Sequence, residues 1–273
     1  MSSAFHRTAV ALFSLLFFSS LATARDLRVC ADPNNLPFSS ARGEGFENKI
    51  AELLAKELGA NLKYFWWSQR RGFIRNTLNA GECDLVTGSV LGMEMLRSTI
   101  PYYRSSYMFV TPLGATSITS LDDAALRQAK IGIQLIGSDN PPPASALAKR
   151  GLVGNLRGYP VYGDDRDPNP GSRIMAAVAQ GEIDVAIAWG PLAGYYATRE
   201  KVPLKLTPVE PQTDGPRSPM VFDVTMAVRK GDEVLRDEIN RAIADLRPEI
   251  GGILAAYGVP RLDDVQQARE VVP

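Results

Sequence analysis

Leu27-Arg28-Val29-Cys30-Ala31-Asp32-Pro33-Asn34-Asn35-Leu36-Pro37-Phe38 runs from a short apolar stretch into a polar, proline-punctuated loop. Residues 27–31 read as a strand. After Gly45, the side chains Phe46, Ile50, Leu53, Leu54 and Leu58 recur at helical spacing, and Gly59 ends the helix. Strand, loop and helix in this order open a parallel sheet. Downstream the spacing predicts a strand over 62–67, a helix over 72–80, a strand over 83–87 and another over 106–111.

A breaker-rich stretch, 112–117, precedes a second βα series: strands over 130–135, 156–161 and 183–188, helices over 143–149 and 172–180. A proline-bearing connection, 208–219, is followed by a strand over 222–228 and helices over 233–246 and 248–257. The organisation expected is α/β in two lobes: 25–111 and 220–260 form the first, 112–219 the second, and 261–273 a tail. Crossings at 110–112 and 218–221 would make a two-stranded hinge, and two lobes imply a cleft.

The first 24 residues combine His6 and Arg7, an apolar run over 8–21 and the small triplet Ala22-Thr23-Ala24, the pattern of a signal peptide cleaved after Ala24. Localisation in the periplasm is the expectation. No later stretch approaches the roughly 20 apolar residues of a membrane span, and Arg28 and Val29 before Cys30 do not fit a lipid-anchor signal. Removing 1–24 takes away Arg7 and no acid, leaving 29 basic against 30 acidic residues. That balance gives no electrostatic reason to expect nucleic acid as partner.

The chain's one histidine is His6, so residues 25–273 have none. Serine–histidine and cysteine–histidine nucleophilic pairs and histidine-ligated zinc are thereby excluded. Cys30 and Cys83 are compatible with a disulfide in an oxidising compartment and equally with two buried thiols.

The opening stretch, with Gly45-Phe46-Glu47, Gly81-Glu82-Cys83-Asp84-Leu85-Val86, Pro101-Tyr102-Tyr103-Arg104-Ser105, Lys130-Ile131-Gly132-Ile133-Gln134 and Gly181-Glu182-Ile183-Asp184-Val185-Ala186, resembles the type II periplasmic solute-binding proteins over nearly the whole mature chain. A narrower resemblance rests on residues 30–38, 45–50, 69–81, Arg157-Gly158-Tyr159 and 189–195. These are similar to the quinoprotein (methanol) dehydrogenase-associated branch, the MoxJ/XoxJ type. That resemblance implies a type II periplasmic binding protein fold and a non-catalytic accessory to a PQQ-dependent methanol or alcohol dehydrogenase, aiding its maturation or activation. The implied partner is the dehydrogenase large subunit or its cytochrome c, in calcium or lanthanide form, with a small ligand in the cleft as a further option. No cofactor of the chain's own is implied.

Amino-acid-binding relatives hold the ligand carboxylate with an arginine after the third strand and the amine with an acid after a later one. Here the first segment is shorter, so Arg97 does not match that arginine, and the acid's position falls on Trp189. Free α-amino acids are therefore not the expected ligand. Trp67, Gln69, Arg70 and Arg71 follow a strand end, where open α/β sheets place ligand loops. One of Trp66 and Trp67 should be core, since neighbours on a strand face opposite ways. The arginines precede a helix start, which suits an anion or acidic partner, or an ion pair with Asp32 or Glu47. Asp32, Asn34, Phe38, Ser89, Tyr102, Tyr103, Tyr159 and Trp189 complete the expected cleft or partner-binding set. Tyr107, Tyr162, Tyr195 and Tyr196 add amphipathic surface beside the expected cleft and the second lobe, and read as ligand or partner contacts or as half-buried packing. Gly43-Glu44-Gly45 reads as a loop and cap rather than a phosphate cradle, and Asp122, Asp123, Asp164, Asp165 and Asp167 as solvated turn carboxylates. Two rivals remain: a transporter's receptor for a small polar solute, and an enzyme on the same fold using Asp, Glu, Lys, Tyr or Cys.

Overall fold

The computed structural model describes residues 25–136, 140–161, 169–215 and 218–262. The expected signal peptide, Tyr162, Asp164, Asp165, Asp167 and the tail beyond 262 lie outside them.

Strand β1 (Asp26–Ala31) is followed by a small hairpin, β2 (Asn34–Asn35) with β3 (Ser39–Ser40), and by helix α1 (Phe46–Glu57). Gly45 caps this helix because no other residue fits: a Cβ there would lie 2.0 Å from the Phe38 carbonyl oxygen. Asn48 reaches back, its Oδ1 accepting from the Gly45 N–H at 3.0 Å and the Ser40 N–H at 2.9 Å. Phe46, Ile50, Ala51 and Leu54 then form the buried stripe.

Strands β4 (Asn61–Trp66) and β5 (Leu85–Val90) flank β1 in parallel. Between them the expected helix over 72–80 is reduced to one turn, α2 (Phe73–Asn76). The helix stops because Thr77 leaves helical geometry, with φ −121° and ψ −86°, while its hydroxyl donates to the Phe73 carbonyl at 2.7 Å.

Strand β6 (Arg97–Pro112) is much longer than the expected 106–111. Its first part pairs antiparallel with β11 (Val221–Val228), whose other side pairs with β5. From Tyr107 onward β6 pairs instead with β9 (Val185–Trp189), and on its other edge with β10 (Leu204–Pro208). The second half-sheet continues through β7 (Ile131–Leu135) to β8 (Leu156–Pro160), both parallel to β9. The change of partner between Ser106 and Tyr107 lies upstream of the crossing expected at 110–112, because the strand carries straight on to Pro112. Where it occurs, the Tyr107 N–H donates to the Met220 carbonyl at 2.8 Å.

Helices α3 (Pro142–Lys149), α4 (Arg173–Ala179) and α5 (Gly190–Ala197) cover the second half-sheet. Helices α6 (Glu233–Asp245) and α7 (Arg247–Ala256) pack Ile239, Ile243, Ile250 and Leu254 with α1 over Leu27 and Val29. On the opposite face of the first half-sheet, Cys30, Phe73, Leu78, Cys83 and Val86 form a second layer. Cys30 and Cys83 are bonded there, with Cα atoms 5.5 Å apart. In the second half, Phe109 and Ile187 face one core, and Met108, Val110, Ala186 and Ala188 the other. Each large aliphatic side chain so buried contributes about 1.5–3 kcal/mol. The result is a type II periplasmic binding protein fold: two α/β lobes sharing β6, with Trp189 packed against cores of both.

Candidate functional site

A cavity of about 280 Å³ opens where the two half-sheets meet. The first lobe lines it with Phe38, Glu47, Gln69, Ser89, Tyr103 and Val224; Tyr107, Ile136, Trp189 and Phe222 close it from the junction and the second lobe. A smaller space of about 130 Å³ adjoins it, sharing Phe38, Glu47, Gln69, Ile136 and Trp189 and adding Asn35, Gln134 and Leu192. The strand ends and loop turns place these groups, as expected where sheets change partner.

Three rings make one wall. Trp189 meets Tyr107 at 5.5 Å and Phe222 at 5.7 Å between centroids, both edge to face, and Tyr107 meets Phe222 at 6.4 Å. The wall is held by Gln134, whose Oε1 accepts from the Trp189 N–H at 2.7 Å. Opposite, Phe38 packs on Phe46 at 5.3 Å, and Phe46 on Tyr103 at 6.2 Å.

Most polar groups of the lining are already engaged. Ser89 Oγ lies 2.9 Å from Thr225 Oγ1, and Gln69 Oε1 accepts from Asn35 Nδ2 at 3.0 Å. Glu47 differs. Its Oε2 accepts from the Thr87 hydroxyl at 2.8 Å, and its Oε1 takes no hydrogen bond among the described residues. The carboxylate keeps some accessible surface because it faces the cavity, yet protein encloses it. Desolvation pushes it from the usual carboxylate range up to about 7, the Thr87 bond only partly opposing this. Gly88 makes the placement possible: a Cβ there would stand 2.3 Å from Glu47 Oε1.

The structure thus brings Phe38, Gln69, Ser89, Tyr103 and Trp189 together around one cavity. Asp32 is buried beside it, its Oδ1 accepting from the Asn34 N–H at 2.8 Å and its Oδ2 from the Gln69 N–H at 2.6 Å, so it ties the two loops together. Tyr102 lies behind the cavity and donates to the Thr87 carbonyl at 3.0 Å. Tyr159, on β8, is half-buried against the second lobe's core. Arg70 and Arg71 are exposed and outside the lining. An ion pair with Glu47 is not formed, and the Asp32 oxygens are taken by backbone donors. Neither tryptophan of the expected pair is core: Trp66 stacks on Tyr64 at 4.5 Å and Trp67, 45% exposed, on Phe65 at 6.3 Å, because β4 is an edge strand. Among the turn acids, Asp123 caps a short turn by accepting from the Ala125 N–H, and Asp122 is paired with Arg150 at 2.7 Å rather than merely solvated. Arg97 pairs with Glu233 at 3.4 Å, outside the lining.

Sequence reasoning missed Glu47, Phe222 and Ile136 as cavity residues, whereas Tyr107, expected beside the cleft, lines it. Glu47 sits in the first turn of a helix, where an acid is ordinarily explained by the helix dipole. The one available signal was its neighbourhood, directly after a loop already expected to face the cleft.

Fold and site together define a two-lobed binding protein. The chain matches the bacterial extracellular solute-binding proteins, family 3, over residues 27–257, and it belongs to that family. Among its relatives is Protein MoxJ of Methylorubrum extorquens, 31% identical over 253 residues, covering 88% of this chain and 82% of the relative. Protein MoxJ of Paracoccus denitrificans is 31% identical over 257 residues, covering 89% and 91%. The crystal structure of the periplasmic binding protein XoxJ from Methylobacterium extorquens AM1 superposes with a TM-score of 0.71 at 36% identity, covering 86% of this chain and 99% of XoxJ. An ancestral cationic amino acid solute-binding protein, 22% identical with a TM-score of 0.65 and covering 85% and 95%, shares the fold. Among the described residues, no helix is long and apolar enough to cross a membrane.

Proposed function

We propose that this chain is a non-catalytic periplasmic accessory protein of a PQQ-dependent methanol or alcohol dehydrogenase system, assisting maturation or activation of the enzyme. The observation that carries this reading is the likeness to MoxJ and XoxJ proteins across at least 86% of the chain. The site's chemistry supports it. Among the described residues the cavity lining contains no cation to hold an amino-acid carboxylate, unlike a conventional amino-acid receptor. Glu47 is the one carboxylate among the described residues of the lining. The cavity rim continues from Val90 into Leu91, Met93 and Met95, all exposed, an apolar and adaptable surface of the kind that engages protein partners. Trp67, Arg70 and Arg71 extend the proposed contact surface. In this reading the lobes adjust about two crossings, in β6 and at the start of β11.

Tagged mature protein, recovered from the periplasm of methanol-grown source cells, should bring down a quinoprotein dehydrogenase large subunit or its cytochrome c, identified by mass spectrometry. The cavity itself favours a second reading, a transporter receptor for a small solute. A retained small molecule with no dehydrogenase would replace the first reading with that one.

A further inference from the structure

We propose that the cavity is a receptor site for a small organic cation lacking a carboxylate, an amine or quaternary ammonium, neutralised by Glu47 and enclosed by the aromatic rings of Phe38, Tyr107, Trp189 and Phe222. This goes beyond the accessory reading and does not depend on it, because it concerns the occupant of the cavity whether or not a dehydrogenase docks outside.

Charge decides the class of ligand. Among the described residues lining both spaces, Glu47 is the one ionisable side chain of either sign that carries charge near neutrality. An anion would meet that carboxylate with no compensating base among the described lining residues. A zwitterionic amino acid would satisfy Glu47 with its amine and leave its own carboxylate desolvated and unpaired, which is costly. A metal ion needs several ligands, and no cluster of three potential ligands occurs among the described residues. A monocation remains, and it would restore charge balance to a carboxylate with one oxygen unbonded.

The walls fit the same ligand. Aromatic faces attract cations through their quadrupoles, most strongly where water is excluded, and tryptophan does so best. The cavity supplies aromatic surface from Trp189, Phe222 and Tyr107 on one side and Phe38 on the other. Its volume of about 280 Å³ suits a compact ligand rather than a long one.

Protonation behaviour follows from the surroundings. Thr87 on β5 and Tyr102 and Tyr103 on β6 stand around Glu47, with Tyr64 on β4 close enough to feel its charge. Burial raises all three phenols, Tyr64 to about 12, so they stay neutral. Glu47 therefore titrates alone near pH 7, and only its ionised form recruits a cation.

Calorimetric titration of the purified mature chain tests this. The probes are choline, its uncharged isostere 3,3-dimethylbutan-1-ol, glycine betaine as the carboxylate-bearing analogue, and methylammonium as a smaller cation. Choline or methylammonium should bind at pH 8, with the matching neutral or zwitterionic probe at least about tenfold weaker. Affinity for the cation should fall about tenfold between pH 8 and pH 6, as Glu47 takes up its proton. Glu47→Gln, checked for an unchanged circular-dichroism spectrum, should lose the preference for charge. Equal binding of choline and its isostere, no binding of either cation, or full cation affinity in Glu47→Gln would each overturn the proposal. Because no dehydrogenase is present, its failure leaves the capture experiment unaffected, and the reverse holds too.

Discussion

Glu47 should be visible in stability as well as in binding. Its carboxyl titrates near 7 in the folded chain but near 4.3 in an unfolded one. Between those values the folded state holds the extra proton, so the contribution of Glu47 to stability is greatest below about pH 4 and is lost as pH rises to 7, by about 4 kcal/mol in all. Residues 25–273 contain no histidine to blur this window. Urea midpoints measured from pH 5 to 8 should show the decline in the parent and a nearly flat profile in Glu47→Gln. Asp84 has the opposite sign. Burial raises it, but Arg28 at 2.6 Å and Arg229 at 3.2 Å outweigh burial and hold it below the usual range. Its contribution is present at neutral pH and lost as pH falls below about 4. Asp84→Asn leaves two guanidinium groups without their shared carboxylate, and should lower stability at pH 7 by about 2 kcal/mol while removing that acid limb.

Helix α5 shows how packing can select a sequence that local propensity disfavours. Its Gly-Pro-Leu-Ala-Gly start reads as a breaker, yet every one of its residues is buried. Proline is tolerated in a first turn, where its missing N–H costs nothing. Gly194 allows contact with the turn after α7, because a Cβ there would lie 1.9 Å from the Gly258 carbonyl oxygen. Gly194→Ala should therefore cost about 3 kcal/mol, read from the urea midpoint. Gly252 provides the contrast: it is exposed within α7, has helical geometry, and a Cβ added there would meet nothing within 4 Å. Gly252→Ala should stabilise the protein by about 0.5–1 kcal/mol in the same assay.

At the scale of the whole molecule, β6 and β11 join the lobes into one unit, while each lobe keeps its own buried layers on both faces of its half-sheet. The disulfide Cys30–Cys83 closes 53 residues of the first lobe, on the face of its half-sheet opposite the helix that carries the cavity acid. Replacing both cysteines by serine should cost about 4 kcal/mol from the chain entropy of a loop of that length, measured by denaturation. The parent should show the same loss when reductant is added. Because Trp189 packs against both lobes, its fluorescence should report a change in their relation when a cation or partner binds.

The fold class was legible from residues 27–59 and the second βα series, since apolar periodicity and glycine breaks are written locally and directly reflect the periods of strands and helices. The chemistry excluded by the missing histidine was equally a property of composition. The long β6 was not legible, because Arg97, Pro101 and Arg104 mask a strand whose ladder irregularity near Pro101 absorbs the missing donor. Phe38, Gln69, Ser89 and Trp189 could be chosen because they come after expected strands, and Tyr103 because it lies in a motif shared with the solute-binding proteins. Glu47 and Phe222 could not, since nothing in their own segments says what faces them. A carboxylate's meaning depends on solvent and on neighbours 40 to 175 residues away, Thr87 and Phe222 among them. Only the closing of the two half-sheets around that carboxylate decided that it would be desolvated, uncompensated by a cation among the described residues, and walled by aromatic rings.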